Sequence, residues 1–126
     1  MSGRKSNLKR FKTITNGDLS GSLTSTVTAI EFMDNIGYQL NFSGSPVGNF
    51  QVQVSMDYDQ DNNGNVINAG NWIAVTLSNG TVNAAASLGS PIYIDLNQLS
   101  APWIRVAYNR TSGSGTLNAY ICGKMV

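Results

Sequence analysis

Apolar side chains recur at every second position along most of the chain beyond residue 21. The clearest runs, with mostly polar or small residues between the apolar positions, cover residues 36–42, 50–56, 92–96, 103–108 and 117–121. Because successive side chains of a strand point to opposite faces, these runs predict half-buried antiparallel strands. Weaker runs at residues 22–32, 72–77 and 81–85 bring the expected number of strands to about eight.

Turn signals separate the predicted strands. The segment S-G-S-P-V-G-N, residues 43–49, predicts a hairpin between the first two clear runs. Asn79-Gly80 can supply the two positive φ angles of a type I′ turn. Since nothing beyond residue 21 favours a helix, we expect an all-β chain with a single antiparallel β-sandwich over residues 22–126. Its architecture is predicted to be jelly-roll-like, and an immunoglobulin-like Greek key also fits this spacing.

Residues 1–21 have a different composition and are predicted to form a flexible, extended arm. Five of the eight basic residues lie there, and no acidic residue precedes them: Arg4, Lys5, Lys9, Arg10 and Lys12. The arm would dock on a partner protein, remain a solvated tail or touch nucleic acid. Because the net charge of the whole chain is only +1, we prefer docking on a protein and do not expect a nucleic-acid partner.

The lack of several catalytic residue types excludes most enzyme classes. The chain has no histidine, which removes the commonest general base and zinc ligand. Cys122 is the only cysteine, so no internal disulfide forms, and we expect it to be a small buried side chain. The sequence therefore predicts neither enzymatic activity nor a cofactor. It also has no apolar run long enough to span a membrane and no recognisable secretory signal.

One acidic loop, D-Y-D-Q-D-N-N-G-N, carries carboxylates at alternate positions. Asp57, Asp59 and Asp61 resemble the first half of a Ca²⁺-binding loop. An EF-hand is excluded, because its glycine and glutamate positions hold Asn62 and Asn68. Two interpretations stay open: a looser Ca²⁺ site formed by the three aspartates, or a polar loop whose Asp and Asn residues form turns.

Aromatic residues suggest an alternative function. A platform on which sugars stack would draw on seven rings, those of Tyr38, Tyr58, Trp72, Tyr93, Trp103, Tyr108 and Tyr120. Tyr108, however, shares the register of Ile104 and Val106, which favours a place in the core. The alternative to a structural role is thus a glycan-binding sandwich module, which would depend on Ca²⁺ if the acidic loop held the ion.

The strands also carry a resemblance to a known group of proteins. The stretches G-S-P-V-G-N-F-Q-V-Q-V-S-M-D-Y, N-W-I-A-V-T-L and A-P-W-I-R-V-A-Y-N-R-T-S-G-S-G-T-L are similar to segments of small β-sandwich proteins of tailed bacteriophages. The likeness covers residues 36–124. The W-I-R-V strand also resembles discoidin-like and carbohydrate-binding jelly rolls, in which it belongs to the scaffold and says little about the ligand.

The phage resemblance implies a virion structural protein: a head decoration protein, a fibre or spike base, or a tail or neck accessory. Such a protein would be located in the virion, would contact other virion proteins and would form a homo-oligomer. The acidic loop departs from the shorter link that these phage proteins often have, so no ligand site is carried over from them.

Overall fold

The computed structural model describes residues 8–77, 82–84, 90–96 and 99–125. Every regular element in these residues is a β-strand. The strands are β1 (Leu8–Asp18), β2 (Leu23–Thr24), β3 (Thr28–Ala29), β4 (Met33–Gly44), β5 (Val47–Ser55), β6 (Asp59–Gln60), β7 (Val66–Asn68), β8 (Ile73–Ala74), β9 (Val82–Ala84), β10 (Ile92–Leu96), β11 (Trp103–Ser112) and β12 (Gly115–Met125). No helix in this part of the chain could cross a membrane.

Two antiparallel sheets form a sandwich. The first sheet has the strand order β1-β12-β4-β10. In the second sheet β11 and β5 are paired at the centre, with β2 and β3 on the outer side of β11 and β8 and β9 on the outer side of β5. A small separate hairpin, β6-β7, lies between β5 and β8 along the chain. The predicted all-β antiparallel sandwich is confirmed.

The strand order is that of a jelly roll. Strands β2 and β3 pair with consecutive parts of β11 and act as one interrupted strand, as β8 and β9 do along β5. The interruption between β2 and β3 is filled by Ser25, whose amide donates to the Val106 carbonyl and whose Oγ accepts from the Val106 amide. Merged in this way, the strands give two four-stranded sheets, which favours the jelly roll over the Greek key.

The core between the sheets is built from the alternating positions that the sequence indicated. The fully buried apolar side chains include Tyr38, Leu40, Phe50, Val52, Ile104, Val106, Tyr108, Leu117 and Ile121. The alternation ends early in one strand: β5 stops at Ser55, and the following Met56 is exposed rather than buried. The expected turn at Asn79-Gly80 lies outside the described residues.

The predicted hairpin between residues 36–42 and 50–56 is wrong. Strand β4 belongs to the first sheet and pairs with β12 and β10, whereas β5 belongs to the second sheet and pairs with β11. The chain crosses between the sheets at residues 45–46, beside a second crossing between β11 and β12, where the Ser45 amide donates to the Ser114 carbonyl. Alternation shows which face of a strand is buried but not which strand lies beside it.

The predicted arm must be corrected over residues 8–18, which form β1 at the edge of the first sheet. Strand β1 pairs with β12 from Leu8–Lys124 to Asp18–Thr116. Two register shifts, and a positive φ angle of 49° at Asn16, break its alternation. The apolar side chains that reach the core, Ile14 and Leu19, therefore do not follow a period of two, and the segment looks like an arm in sequence.

Candidate functional site

A groove of about 620 Å³ lies on the outer face of the first sheet, away from the core. Its lining residues come from all four strands: Arg10, Lys12, Gly37, Tyr38, Gln39, Asn41, Tyr93, Tyr120 and Cys122. We call this site the sheet groove. Its size falls within the range of sites that hold small ligands, about 300–1,000 Å³.

Register places one row of groove residues straight across the sheet. Lys12 on β1 lies opposite Tyr120 on β12, which lies opposite Gln39 on β4, which in turn lies opposite Tyr93 on β10. Side chains directly opposite one another on the same face are neighbours. The Lys12 ammonium is accordingly 5.5 Å from the centre of the Tyr120 ring. The row thus places a cation, two phenol rings and an amide on one surface.

The next row forms the floor of the groove, because its central positions hold small residues. Cys122 and Gly37 lie opposite each other, with Arg10 at the β1 end and Asp95 at the β10 end. A β-carbon at Gly37 would lie 2.8 Å from the Tyr93 ring and from its hydroxyl oxygen. Glycine therefore lets Tyr93 lean over the floor, although 69% of the Tyr93 side chain remains exposed.

The electrostatics of the groove are cationic. Among the described residues that line it, Arg10 and Lys12 carry basic side chains and none carries a carboxylate. Asp95 lies just beyond the lining, where its Oδ1 accepts a hydrogen bond of 3.4 Å from the Tyr93 hydroxyl. Partial burial, followed by the negative charge of Asp95, raises the pKa of Tyr93. Tyr93 therefore stays a neutral phenol at physiological pH.

The basic residues predicted to dock are only partly brought together. Arg10 and Lys12 face the sheet groove. Lys9 lies opposite Gly123 and points to the other face of the sheet, away from the groove. Arg4 and Lys5 lie outside the described residues. Cys122 was expected to be buried, but it is only half-buried, because its neighbour Ile121 takes the inward-facing position.

Asp57 stabilises the loop that follows β5. Its carboxylate accepts hydrogen bonds from the backbone amide and side-chain amide of Asn71, both at 2.7 Å, and from the Ser55 hydroxyl at 2.9 Å. The bonds from Asn71, and then that from Ser55, lower the pKa of Asp57. The carboxylate thus ties the start of the loop to its end.

Asp61 and Asp59 serve smaller turns of the same loop. Asp61 accepts from the backbone amide and the side chain of Asn65 and from the backbone amide of Asn63, and these bonds, in that order, lower the pKa of Asp61. Within the described part of the chain, Asp59 accepts only from the backbone amide of Gln60. The described residues hold no group of three or more acidic, His or Cys side chains placed to share a metal ion. Asp57, Asp59 and Asp61 thus accept hydrogen bonds from residues of their own loop, and the Ca²⁺ site stays a prediction.

The loop between β5 and β8 also exposes apolar side chains, a feature that the sequence reading missed. Four large ones are exposed over more than half of their surface: Met56 73%, Val66 58%, Ile67 66% and Ile73 65%. We call this segment, residues 56–73, the apolar hairpin. The one signal in the sequence was the Val66-Ile67 pair within an otherwise polar, Asn-rich stretch.

Most of the aromatic residues proposed as a platform serve the structure instead. Tyr58 packs against Trp72 and Trp103 with ring centres 5.5 and 5.0 Å apart. The Arg105 guanidinium lies 4.2 Å above the Trp72 ring. This cluster supports the base of the apolar hairpin. Tyr38 and Tyr108 are core residues, so the platform in the sheet groove consists of the two remaining rings, Tyr93 and Tyr120.

Comparison with known proteins concerns the fold alone. No protein family matches the chain, and no curated protein matches its sequence. Among solved structures, the chain is similar to the SPBc2 prophage-derived protein YomS. The TM-score is 0.52, and the likeness covers 91% of this chain and 92% of YomS at 9% sequence identity. The two proteins share a sandwich that accounts for nearly all of each chain.

Proposed function

We propose that the chain is a structural protein of a bacteriophage particle that assembles with copies of itself and with other virion proteins and catalyses no reaction. Two findings support a phage origin: the similarity of its strands to those of tailed-phage sandwich proteins, and the fold it shares with prophage-derived YomS. Neither finding shows whether the protein belongs to the head or to the tail of the particle. The docking role rests on the apolar hairpin.

The apolar hairpin is the observation that carries this proposal. Exposed single apolar residues are ordinary on protein surfaces, but several within one short segment are typical of a protein–protein contact. Val66 and Ile67 lie on β7, while Met56 and Ile73 are the first and last residues of the apolar hairpin. A neighbouring subunit that covered these four side chains would remove apolar surface from water, the main driving force of association.

The hairpin is also held in shape before any partner binds. Asp57 joins its two ends through Asn71, and Asp61 closes the turn at its tip through Asn63 and Asn65. Ordering a loop on binding opposes association, so a loop that is already ordered binds more tightly for the same contact. The aspartates thus support docking by holding the loop in shape.

The edge of the first sheet is less suited to assembly. Among the described strands β1 lies at the edge of the first sheet, and its exposed basic residues Lys9, Arg10 and Lys12 discourage pairing with the edge of another sheet. We propose that Arg4 and Lys5, which precede this strand, add an electrostatic contact to an acidic neighbour in the particle.

The test is to purify particles from cultures that carry the gene and to measure the protein in them by quantitative mass spectrometry. We expect many copies per particle. The double variant Val66→Asp with Ile67→Asp should fold but fall at least about tenfold in particle content, because each charge would have to be desolvated in the contact. Phe32→Asp is the matched control, since Phe32 is 67% exposed and lies outside the hairpin. Particles that lack the wild-type protein would refute the proposal.

A further inference from the structure

We infer that the sheet groove binds an acidic saccharide, with its carboxylate or phosphate at Arg10 and Lys12 and its sugar ring against Tyr93 and Tyr120. This recognition function goes beyond assembly in the particle. The groove lies on the outer face of the first sheet, whereas the apolar hairpin follows β5 of the second. The two sites are therefore built from different elements.

The cationic end of the groove fits an anionic group. Arg10 and Lys12 are two positions apart on one strand, which places their Cα atoms about 6.6 Å apart on the same face. Both are exposed, and no carboxylate belongs to the described lining of the groove to neutralise them. An arginine can bind a carboxylate or phosphate through two parallel hydrogen bonds, and a lysine adds a mobile positive charge.

The middle of the groove fits a sugar ring. Tyr93 and Tyr120 lie in one cross-strand row on either side of Gln39. Their rings present apolar faces with polar tips, which suits the C–H face and hydroxyl rim of a pyranose. Gln39 Nε2 donates to Asn41 Oδ1 at 3.0 Å. That bond fixes both amides and leaves the Gln39 oxygen and the Asn41 amino group for sugar hydroxyls.

An acidic protein segment fits the groove less well than a saccharide does. An extended peptide commonly binds a sheet by adding a strand at an edge, where free backbone groups are available. The floor of the groove is formed by β12 and β4, and each of these strands is paired on both sides. The groove therefore offers side chains only, arranged as amides, phenols and cations within one small site.

The test is isothermal titration calorimetry of the full-length protein with matched oligosaccharides. The set contains neutral sugars, the same backbones bearing a uronic acid, and the same backbones bearing a phosphate. We expect saturable binding of one or both acidic series, with at least about tenfold weaker binding of the neutral series, the effect of losing a charged hydrogen bond. The two acidic series identify which anionic group is preferred.

Variants locate the binding in the groove. Lys12→Gln should weaken binding of the acidic sugar about tenfold and leave any neutral-sugar binding unchanged. Lys9→Gln removes the same charge from the same strand but faces away from the groove, so its affinity should stay at the wild-type value. Tyr93→Ala should weaken the binding of both the neutral and the acidic sugars. Phe32→Ala, which removes an exposed ring elsewhere, should weaken the binding of neither.

Several outcomes would overturn the inference. The first is that no acidic sugar binds, and the second is that neutral and acidic sugars bind with equal affinity. The third is that Lys9→Gln and Lys12→Gln weaken binding of the acidic sugar equally. The fourth is that an oligoglutamate peptide binds more tightly than the acidic sugar. Binding that disappears in EDTA would also contradict it, because the lining holds no carboxylate to carry a metal. The Val66→Asp with Ile67→Asp variant should bind sugar normally, so failure of this inference and failure of the assembly proposal are separable.

Discussion

At the scale of single residues, the core contains a polar atom that the sequence pattern does not require. Tyr108 is 1% exposed and packs against Phe50 with ring centres 5.2 Å apart. Its hydroxyl is buried and has no hydrogen-bond partner among the described residues. Burial raises the pKa of this phenol. The ring thus stabilises the folded protein, whereas the buried hydroxyl without a partner destabilises it.

We therefore expect Tyr108→Phe to leave the free energy of unfolding unchanged or to raise it by about 1 kcal/mol, because it removes an unsatisfied buried oxygen. Tyr108→Ala, the contrasting variant, should lower it by about 3–5 kcal/mol through the cavity that remains. Urea unfolding followed by fluorescence measures both. A loss of more than about 1 kcal/mol in Tyr108→Phe would mean that the hydroxyl is well hydrogen-bonded in solution.

A second prediction at this scale concerns pH. The pKa of Asp57 is lowered in the folded protein, so its contribution to stability is complete above the ordinary aspartate pKa of about 4 and is lost as pH falls through the lowered value. The Asn71 amide resonance should then shift in an acid titration with a midpoint below about 4.

Two matched variants test the source of that shift. Asp57→Asn should abolish the Asn71 titration step, because a carboxamide does not titrate and replaces one of the two oxygens that accept from Asn71 with an amino group. Asp59→Asn should leave the step in place, since Asn71 bonds to Asp57 whereas Asp59 accepts from Gln60. A wild-type midpoint at or above the ordinary value would contradict the bracing role of Asp57.

At the scale of elements, alternation predicted the interior strands well. In β4, β5, β11 and β12 one face packs on the core along most of the strand, so the period of two is clear in the sequence. Strand β1 could not be recognised in this way, because two bulges interrupt its period and most of its residues are exposed. The β4–β5 connection was misjudged because a tight turn and a crossing between sheets share the same Gly and Pro signals.

Truncation tests the role of β1. Removing residues 2–7 leaves the strand intact, so the free energy of unfolding should be unchanged, while particle docking weakens with the loss of Arg4 and Lys5. Removing residues 2–18 also removes Ile14 from the core and should lower the free energy of unfolding by about 3 kcal/mol or more. Chemical denaturation measures both truncations. Equal stability of the two would show that β1 contributes nothing to the sandwich.

At the scale of the whole molecule, the candidate site was only half predictable. The sequence singled out the basic residues Arg10 and Lys12 for docking on a protein, and the aromatic residues Tyr93 and Tyr120 for stacking on sugars, but it did not bring the two pairs together. Their meeting depends on the register of four strands drawn from distant parts of the chain. No local pattern encodes such long-range pairing, and so the groove became visible only in three dimensions.

The pairing of β1 with β12 has a consequence for biosynthesis. Thr13 donates to the carbonyl of Ala119, 106 positions later in the chain. Contacts between such distant segments form late, because a long loop must close first. During synthesis β1 therefore stays unpaired until β12 has been made. The surface that we assign to sugar recognition can form only after translation has passed residue 122.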